Sequence, residues 1–416
     1  MNKDNRTLLI QILLFVITFI TTTISGAEWI YGGSFIYGND TMGWQEFYGG
    51  LQFSIPFLLI LTCHEFGHYF TAKYHKVKVS LPYYMPFWLG FLPSFSIGTM
   101  GAFIRLKEKV KSLTKTFDIG LAGPLAGFVV AIFVIIYGFS NLPAKEYIYS
   151  IHPEYELFGE NYGEYIYDTD TFFLKSDLAK INPEAASIYE ADTIFLGPSY
   201  QLGLQLGSNL IFDFAKAYIV PENDIDRIPN PNEMFHYPYL FAGFLALFFT
   251  ALNLIPIGQL DGGHILYGLI GERRFRIVAV IAFIGLLFYA GLGNGMFGIF
   301  NPFDLSQSMM EIMIAFVAYA FFLFYLLGKT SFTNQQKIII SLGIIAFQAV
   351  LIITFPGIHG YGGWMIYGFL IGRFLGIYHP PVEIEEPLSL NRKILGWIAL
   401  VIFILSVSPQ PFIFSG

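Results

Sequence analysis

Charge is what this chain of 416 residues has least of. Only 13% of its residues are charged, against about 25% in soluble domains. That scarcity excludes an ordinary soluble globular domain. The formal net charge of −7 offers no basic excess for phosphate, so no nucleic-acid partner is expected. The one cysteine, Cys63, excludes an intramolecular disulfide. Internal repeats and low-complexity tracts are missing as well. What remains is apolar: 55% hydrophobic and 18% aromatic residues, with a mean hydropathy of +0.57. The lipid bilayer is the expected surrounding.

Nine apolar runs are read as spans: 8–25, 51–72, 117–139, 237–256, 277–293, 309–328, 337–355, 362–378 and 393–408. Most approach the ~20 residues that cross the hydrocarbon. The fold class expected is an all-α polytopic membrane protein of about nine transmembrane helices, with a three-helix core formed by spans two, three and four. The first run also has the look of a signal peptide, with Lys3 and Arg6 ahead of the apolar core and Ser25-Gly26-Ala27 after it. Its long core favours a retained helix. Residues 73–115 carry Lys73, Lys76, Lys78, Arg105, Lys107, Lys109, Lys111 and Lys115 against one acid, Glu108, whereas 26–50 carry acids only. Lysine- and arginine-rich loops stay cytoplasmic. The N-terminus is therefore expected inside and the acidic insert 141–235 extracytoplasmic, in a bacterial cytoplasmic membrane. The organisation expected is 1–50, a first helix and outer loop; 51–140, the first half of the core; 141–235, the insert; 236–276, the second half of the core; and 277–416, C-terminal helices. Within the insert, roughly 200–218 shows helical periodicity.

The second span, LQFSIPFLLILTCHEFGHYF, has one charged residue, Glu65. A carboxylate inside a membrane helix costs several kcal/mol by order of magnitude and marks a functional site by default. His64 and His68 stand at i and i+4, on one helical face, where both imidazoles can hold one Zn²⁺. Glu65 beside them can take a proton from the attacking water. The competing reading is a histidine pair hydrogen-bonded within a bundle, but it leaves the buried Glu65 unexplained. Cys63 lies about 100° around the helix from His64 and points elsewhere. The pair sits five to nine residues before Lys73, so about 7–14 Å below the cytosolic surface.

A catalytic zinc site needs a third protein ligand. Asp261 is the other carboxylate in comparable surroundings. It follows the uncharged run 237–256 in ALNLIPIGQLDGGH, where Pro256, Gly258, Gly262 and Gly263 argue against continuous helix. The alternatives are an Asp capping the next helix, or His264 as ligand or supporting group. His75 is too far along the axis to share one metal. His152, His236, His359 and His379 lie in loops or at span edges and are read as structural. Between 77 and 104, Pro82, Pro86 and Pro93 rule out a regular span; a re-entrant or hairpin element is expected, with 97–106 offering a strand edge for an extended peptide. Gly120, Gly123 and Gly127 have the spacing that lets membrane helices approach closely.

Taken in order, HEFGH, SLPYYMPF with GTMGAFIRL, AGPLAG and TALNLIPIGQLDGGH resemble the site-2 protease family of intramembrane zinc metalloproteases, peptidase family M50. The resemblance spans about 50–130 and 235–275 and continues more weakly to HPPV at 379–382. It implies that His64, His68 and Asp261 bind one zinc ion, that Glu65 is the general base and that Asn253 lies near the substrate, a transmembrane protein. Many members carry a PDZ domain between the half-motifs. No PDZ pattern is found in 141–235, so the chain looks closer to the PDZ-less branch with the plastid EGY-type proteases, though the upstream motif typical of those is absent. Two other functions fit parts of the pattern: a metal-ion transporter using the same ligands, and a catalytically inactive relative that binds membrane proteins.

Overall fold

In the computed structural model, residues 3–36, 42–90, 96–167, 172–174, 193–195, 203–293, 302–303 and 308–415 are described. Long helices dominate because long apolar stretches without partners for their backbone groups must satisfy them internally. Helix α1 (Lys3–Tyr31), α2 (Trp44–Tyr74) and α3 (Leu113–Ser140) form the first half of the core. The second half is α6 (Pro238–Leu254) and α7 (Asp261–Gly291), followed by α8 (Met309–Leu326), α9 (Asn334–Thr354), α10 (Trp364–Leu370, continued by a π turn to Leu375) and α11 (Leu390–Ser406). The insert contributes the short α4 (Tyr162–Ile166) and α5 (Leu210–Ile219).

Each expected span has a helix on it, but among the described residues six helices are long and apolar enough to cross a membrane. The helices at 238–254 and 364–375 are apolar yet shorter, and α11 has 17 residues. The run read as 277–293 belongs to a helix that starts at Asp261 and breaks at Gly271, whose φ of 77° ends one helical stretch before Glu272-Arg273-Arg274 begins the next.

The chain is not purely α. Strand β1 (Tyr83–Phe87) pairs antiparallel with β2 (Gly98–Phe103), with a register irregularity between Tyr84 and Pro86. Pro86 cannot donate to a ladder, which is why it falls at the irregularity. Two more ladders join β3 (Phe172–Leu174) to β4 (Thr193–Phe195), and β5 (Gly203–Leu206) to β6 (Phe412–Ser415). The expected helical stretch near 200–218 is corrected accordingly: β5 comes first and the helix occupies Leu210–Ile219, starting where Asn209 accepts the Phe212 N–H. Residues 200–202 lie outside the described ones. Of the apolar stretch 77–104, residues 91–95 do as well.

The hairpin is strapped to α1. Gln11 donates to the Leu81 carbonyl at 2.7 Å, Thr21 to Gly98 at 2.7 Å and Trp29 to Ser96 at 2.8 Å. Each donor satisfies a backbone carbonyl that lipid would leave bare. One edge of β2 pairs with β1; the other carries no strand among the described residues.

Candidate active site

Helix α2 presents His64, Glu65 and His68 to the bundle interior, exposed by 7%, 5% and 7%. They can lie so deep because α3 approaches closely. A Cβ on Gly123 would stand 2.1 Å from His68 Nε2, and one on Gly127 would stand 3.1 Å from His64 Cβ. On the α2 side, Gly67 faces the Ala122 carbonyl at a similarly short distance. The small-residue spacing on α3 thus makes the floor under the two imidazoles. Lipid tails provide no hydrophobic drive between helices, so close backbone packing of this kind is what holds α2 to α3.

The third member comes from a break in the helix. α6 ends at Leu254 and α7 begins at Asp261. Between them Gly258 has φ of 62° and donates its N–H to the Ile377 carbonyl at 2.9 Å. A Cβ on Gly262 would strike the Leu254 carbonyl at 1.9 Å, so the turn closes only with glycine there. Asp261 is the first residue of α7, but its carboxylate does not cap the helix. It reaches back across the bundle, with Oδ2 3.5 Å from His64 Nε2 and 3.3 Å from His68 Nε2. The two Nε2 atoms are 3.0 Å apart.

This donor set fits a zinc ion. Four tetrahedral ligands at about 2.0–2.1 Å stand ~3.3 Å from one another, close to the three separations seen. The tautomer fits too. His68 Nδ1 lies 2.7 Å from the Ile119 carbonyl, which can only accept. Nδ1 therefore donates there, which leaves Nε2 as the ring nitrogen placed to take a metal beside Asp261. Among the described residues, one other group of three donors lies as close together: His152, Glu233 and His236.

Glu65 lies outside the donor triad and faces the Ile104 backbone just past β2. Asn253, in the last turn of α6, places Nδ2 3.5 Å from His64 Nε2. A cavity of about 460 Å³ opens over the site, bounded by His64, Glu65, His68, Asn253 and Asp261, by Ala102–Ile104 and by His379–Val382. A narrower apolar cavity of about 120 Å³ adjoins it, bounded by Phe57, Ile60, Met100–Ala102, Ala246 and Phe249. His64, Glu65, Ala102 and Asn253 line both.

His264 is close but turned aside. It packs over Gly120, and its Nδ1 lies 2.7 Å from His379 Nε2. His379 Nδ1 must donate to the Pro380 carbonyl at 2.6 Å, so His264 is the donor of the pair. Burial lowers the basicity of His379. Reading His379 from the sequence as a span-edge residue missed its place in the cavity wall; HPPV was the only trace of it. His75 is on another interaction, 2.8 Å from Asp118, which Arg392 also clamps at 2.7 and 2.8 Å.

A bundle of apolar helices around an inward-facing His-His-Asp set with an adjoining glutamate is the architecture of a membrane metalloprotein. The model of peptidase family M50 matches residues 52–292, more than half the chain and both halves of the site, and the chain belongs to that family. Its similar relatives include the probable zinc metalloprotease EGY1, chloroplastic, of Oryza sativa subsp. japonica. That protein is 28% identical over 242 residues, covering 58% of this chain and 31% of the relative. The Arabidopsis thaliana protein of the same name is 26% identical over 240 residues, 58% and 32% of the two chains. The probable zinc metalloprotease EGY2, chloroplastic, of Oryza sativa subsp. indica is 26% identical over 235 residues, 56% and 32%. The chain thus spans about a third of the length of the curated relatives it matches. No solved structure matches. The relatives are named as chloroplastic, so they lend no support to the bacterial cytoplasmic membrane expected from the sequence.

Proposed function

We propose that the chain is a zinc-dependent intramembrane endopeptidase that hydrolyses peptide bonds of membrane-protein substrates within or near the bilayer. The observation that carries this reading is the convergence of His64, His68 and Asp261, two buried donors and one half-buried donor from two distant segments, on the cavity that Glu65 enters. His64, His68 and Asp261 would hold one zinc ion, which when bound supplies Lewis-acid polarisation of the scissile carbonyl. Glu65 takes the proton from the attacking water and returns it to the leaving amine. Asn253, whose amide faces the same cavity, donates to the oxygen on which negative charge develops.

A transmembrane helix must unwind before its carbonyls can be attacked, since each is engaged by an N–H four residues on. The unpaired edge of β2 along Met100–Phe103 borders both cavities and offers an unwound segment a strand partner. The Lys/Arg-rich 73–115 segment orients this face to the cytosol, with the N-terminus on the same side and the insert 141–235 on the other. The test is cleavage of a single-span substrate by the purified protein in proteoliposomes. Wild type should cleave, and Glu65→Gln or treatment with a zinc chelator should not. Metal uptake into the vesicles without proteolysis would instead make the protein a transporter.

A further inference from the structure

The geometry points to a second metal site, a zinc-type divalent-cation site formed by His152, Glu233 and His236, at the other end of α6 from the first. His152 opens a 3-10 helix early in the insert (Pro153–Asn161), and His236 closes another (Met234–His236) directly before α6. Their Nε2 atoms are 3.1 Å apart. Glu233 Oε2 lies 3.1 Å from His236 Nε2 and 3.8 Å from His152 Nε2. These spacings bracket the ~3.3 Å between tetrahedral zinc ligands. The donor set, two imidazole Nε2 atoms and one carboxylate oxygen, repeats that of the first site.

Proton accounting favours a cation over a hydrogen-bonded triad with neutral imidazoles. His236 Nδ1 lies 2.7 Å from the Ile30 carbonyl and must donate to it. In neutral His236, Nε2 then bears a lone pair and has no proton for Glu233. If His152 Nε2 donates to that lone pair, Glu233 Oε2 receives nothing. This oxygen is fully buried and has no hydrogen-bond partner. Its twin, Oε1, is already satisfied by the Tyr155 and Tyr167 hydroxyls, which leaves Oε2 aimed at the two nitrogens. A divalent cation satisfies Glu233 Oε2 and the His236 lone pair at once, with His152 Nε2 placed as a third donor. The Ile30 carbonyl and the two tyrosines are the outer partners that such ligands commonly have.

Glu233 and His236 are fully buried, and neither borders the cavities at the catalytic face. The site is therefore a fastening. It joins the beginning of the insert to its end, and through Ile30 it holds both to α1. With 17 residues in α6, it stands about 25 Å from Asn253.

Metal analysis by mass spectrometry tests this on full-length protein purified through a tag without histidine. Wild type should hold two equivalents of zinc. Glu233→Gln, which keeps size and the tyrosine hydrogen bonds, should hold one, and its insert should be cut several-fold faster in limited proteolysis. The His64→Ala/His68→Ala protein should also hold one, and cobalt loaded into that variant should give the visible bands of a four-coordinate site, lost on adding Glu233→Gln. One equivalent in wild type that Glu233→Gln removes and Asp261→Ala spares would uphold this site while overturning the first. Unchanged zinc in Glu233→Gln, together with no cobalt bands in the His64→Ala/His68→Ala protein, would overturn it.

Discussion

Gly123→Ala adds one methyl group and is expected to empty the catalytic site. The new Cβ would stand 2.1 Å from His68 Nε2 and 2.4 Å from both Cδ2 and Cε1. Ordinary contact begins at about 3.4 Å, so the ring must retreat by more than ~1 Å. It cannot swing freely, because Nδ1 is tied to the Ile119 carbonyl on the same helix that carries residue 123. Either that bond breaks or α2 and α3 separate. Overpacking of this kind costs about 1–3 kcal/mol, and metal ligation tolerates only about ±0.2 Å in ligand distance. Losing one of three protein ligands should lower zinc affinity at this site by at least the 10–100-fold seen for weaker perturbations of supporting groups. Gly127→Ala is the internal control: its Cβ meets His64 Cβ at 3.1 Å and Nδ1 at 3.4 Å, which a few tenths of an ångström relieve. The assay is zinc content and affinity, by competition with a chelator, for both variants beside wild type. Wild-type zinc affinity in Gly123→Ala would refute the reasoning, since the His68 nitrogen could then not be a ligand in the position seen.

Three further outcomes are expected. Glu65→Gln should lower cleavage by about 10²–10⁴-fold, the usual contribution of a general acid–base group, while zinc content stays at the wild-type level; cleavage at the wild-type rate would remove Glu65 from the chemistry. Asp261→Ala should lose both the catalytic zinc and activity, and full occupancy there would transfer the ligand role to His264. Arg392→Ala should destabilise the protein in detergent by about 2 kcal/mol, because it strips two charge-assisted hydrogen bonds from the largely buried Asp118. Arg392→Lys should recover only part of that, having no planar fork; equal melting temperatures for all three proteins would show that the clamp between α3 and α11 contributes nothing.

What could be seen in advance follows the reach of helical periodicity. His64 and His68 are four residues apart, so their shared face is a property of the helix itself. Asp261 is 193 residues from His68, and the sequence suggests it only because a two-histidine site is incomplete and a broken polar segment in lipid needs a reason. The glycines of α3 announced close packing, but not that histidine rings lie on them. His152 and His236, separated by 84 residues, sit on irregular turns with no period to read. Nothing in either local sequence places them together. The same limit hid the β5–β6 ladder, which joins the insert to residues 412–415.

The two donor clusters also show why similar ligands need not do similar chemistry. Both combine two imidazoles with a carboxylate, and both fix a histidine tautomer through a backbone carbonyl. At the first, a second carboxylate, Glu65, stands beside the donors without joining them, and a cavity of about 460 Å³ opens over them. At the second, aromatic rings occupy that space: Tyr155 stacks on His152 at 4.6 Å and Phe235 leans on His236 at 4.3 Å. The glutamate there belongs to the cluster itself, with its other oxygen engaged by tyrosines. A zinc site that acts on substrate must keep a position open and a base within reach of it. Of the two clusters, only the one near Asn253 has both a cavity and a free carboxylate beside it, so the proposed hydrolysis is assigned to that end of α6 and the proposed fastening to the other.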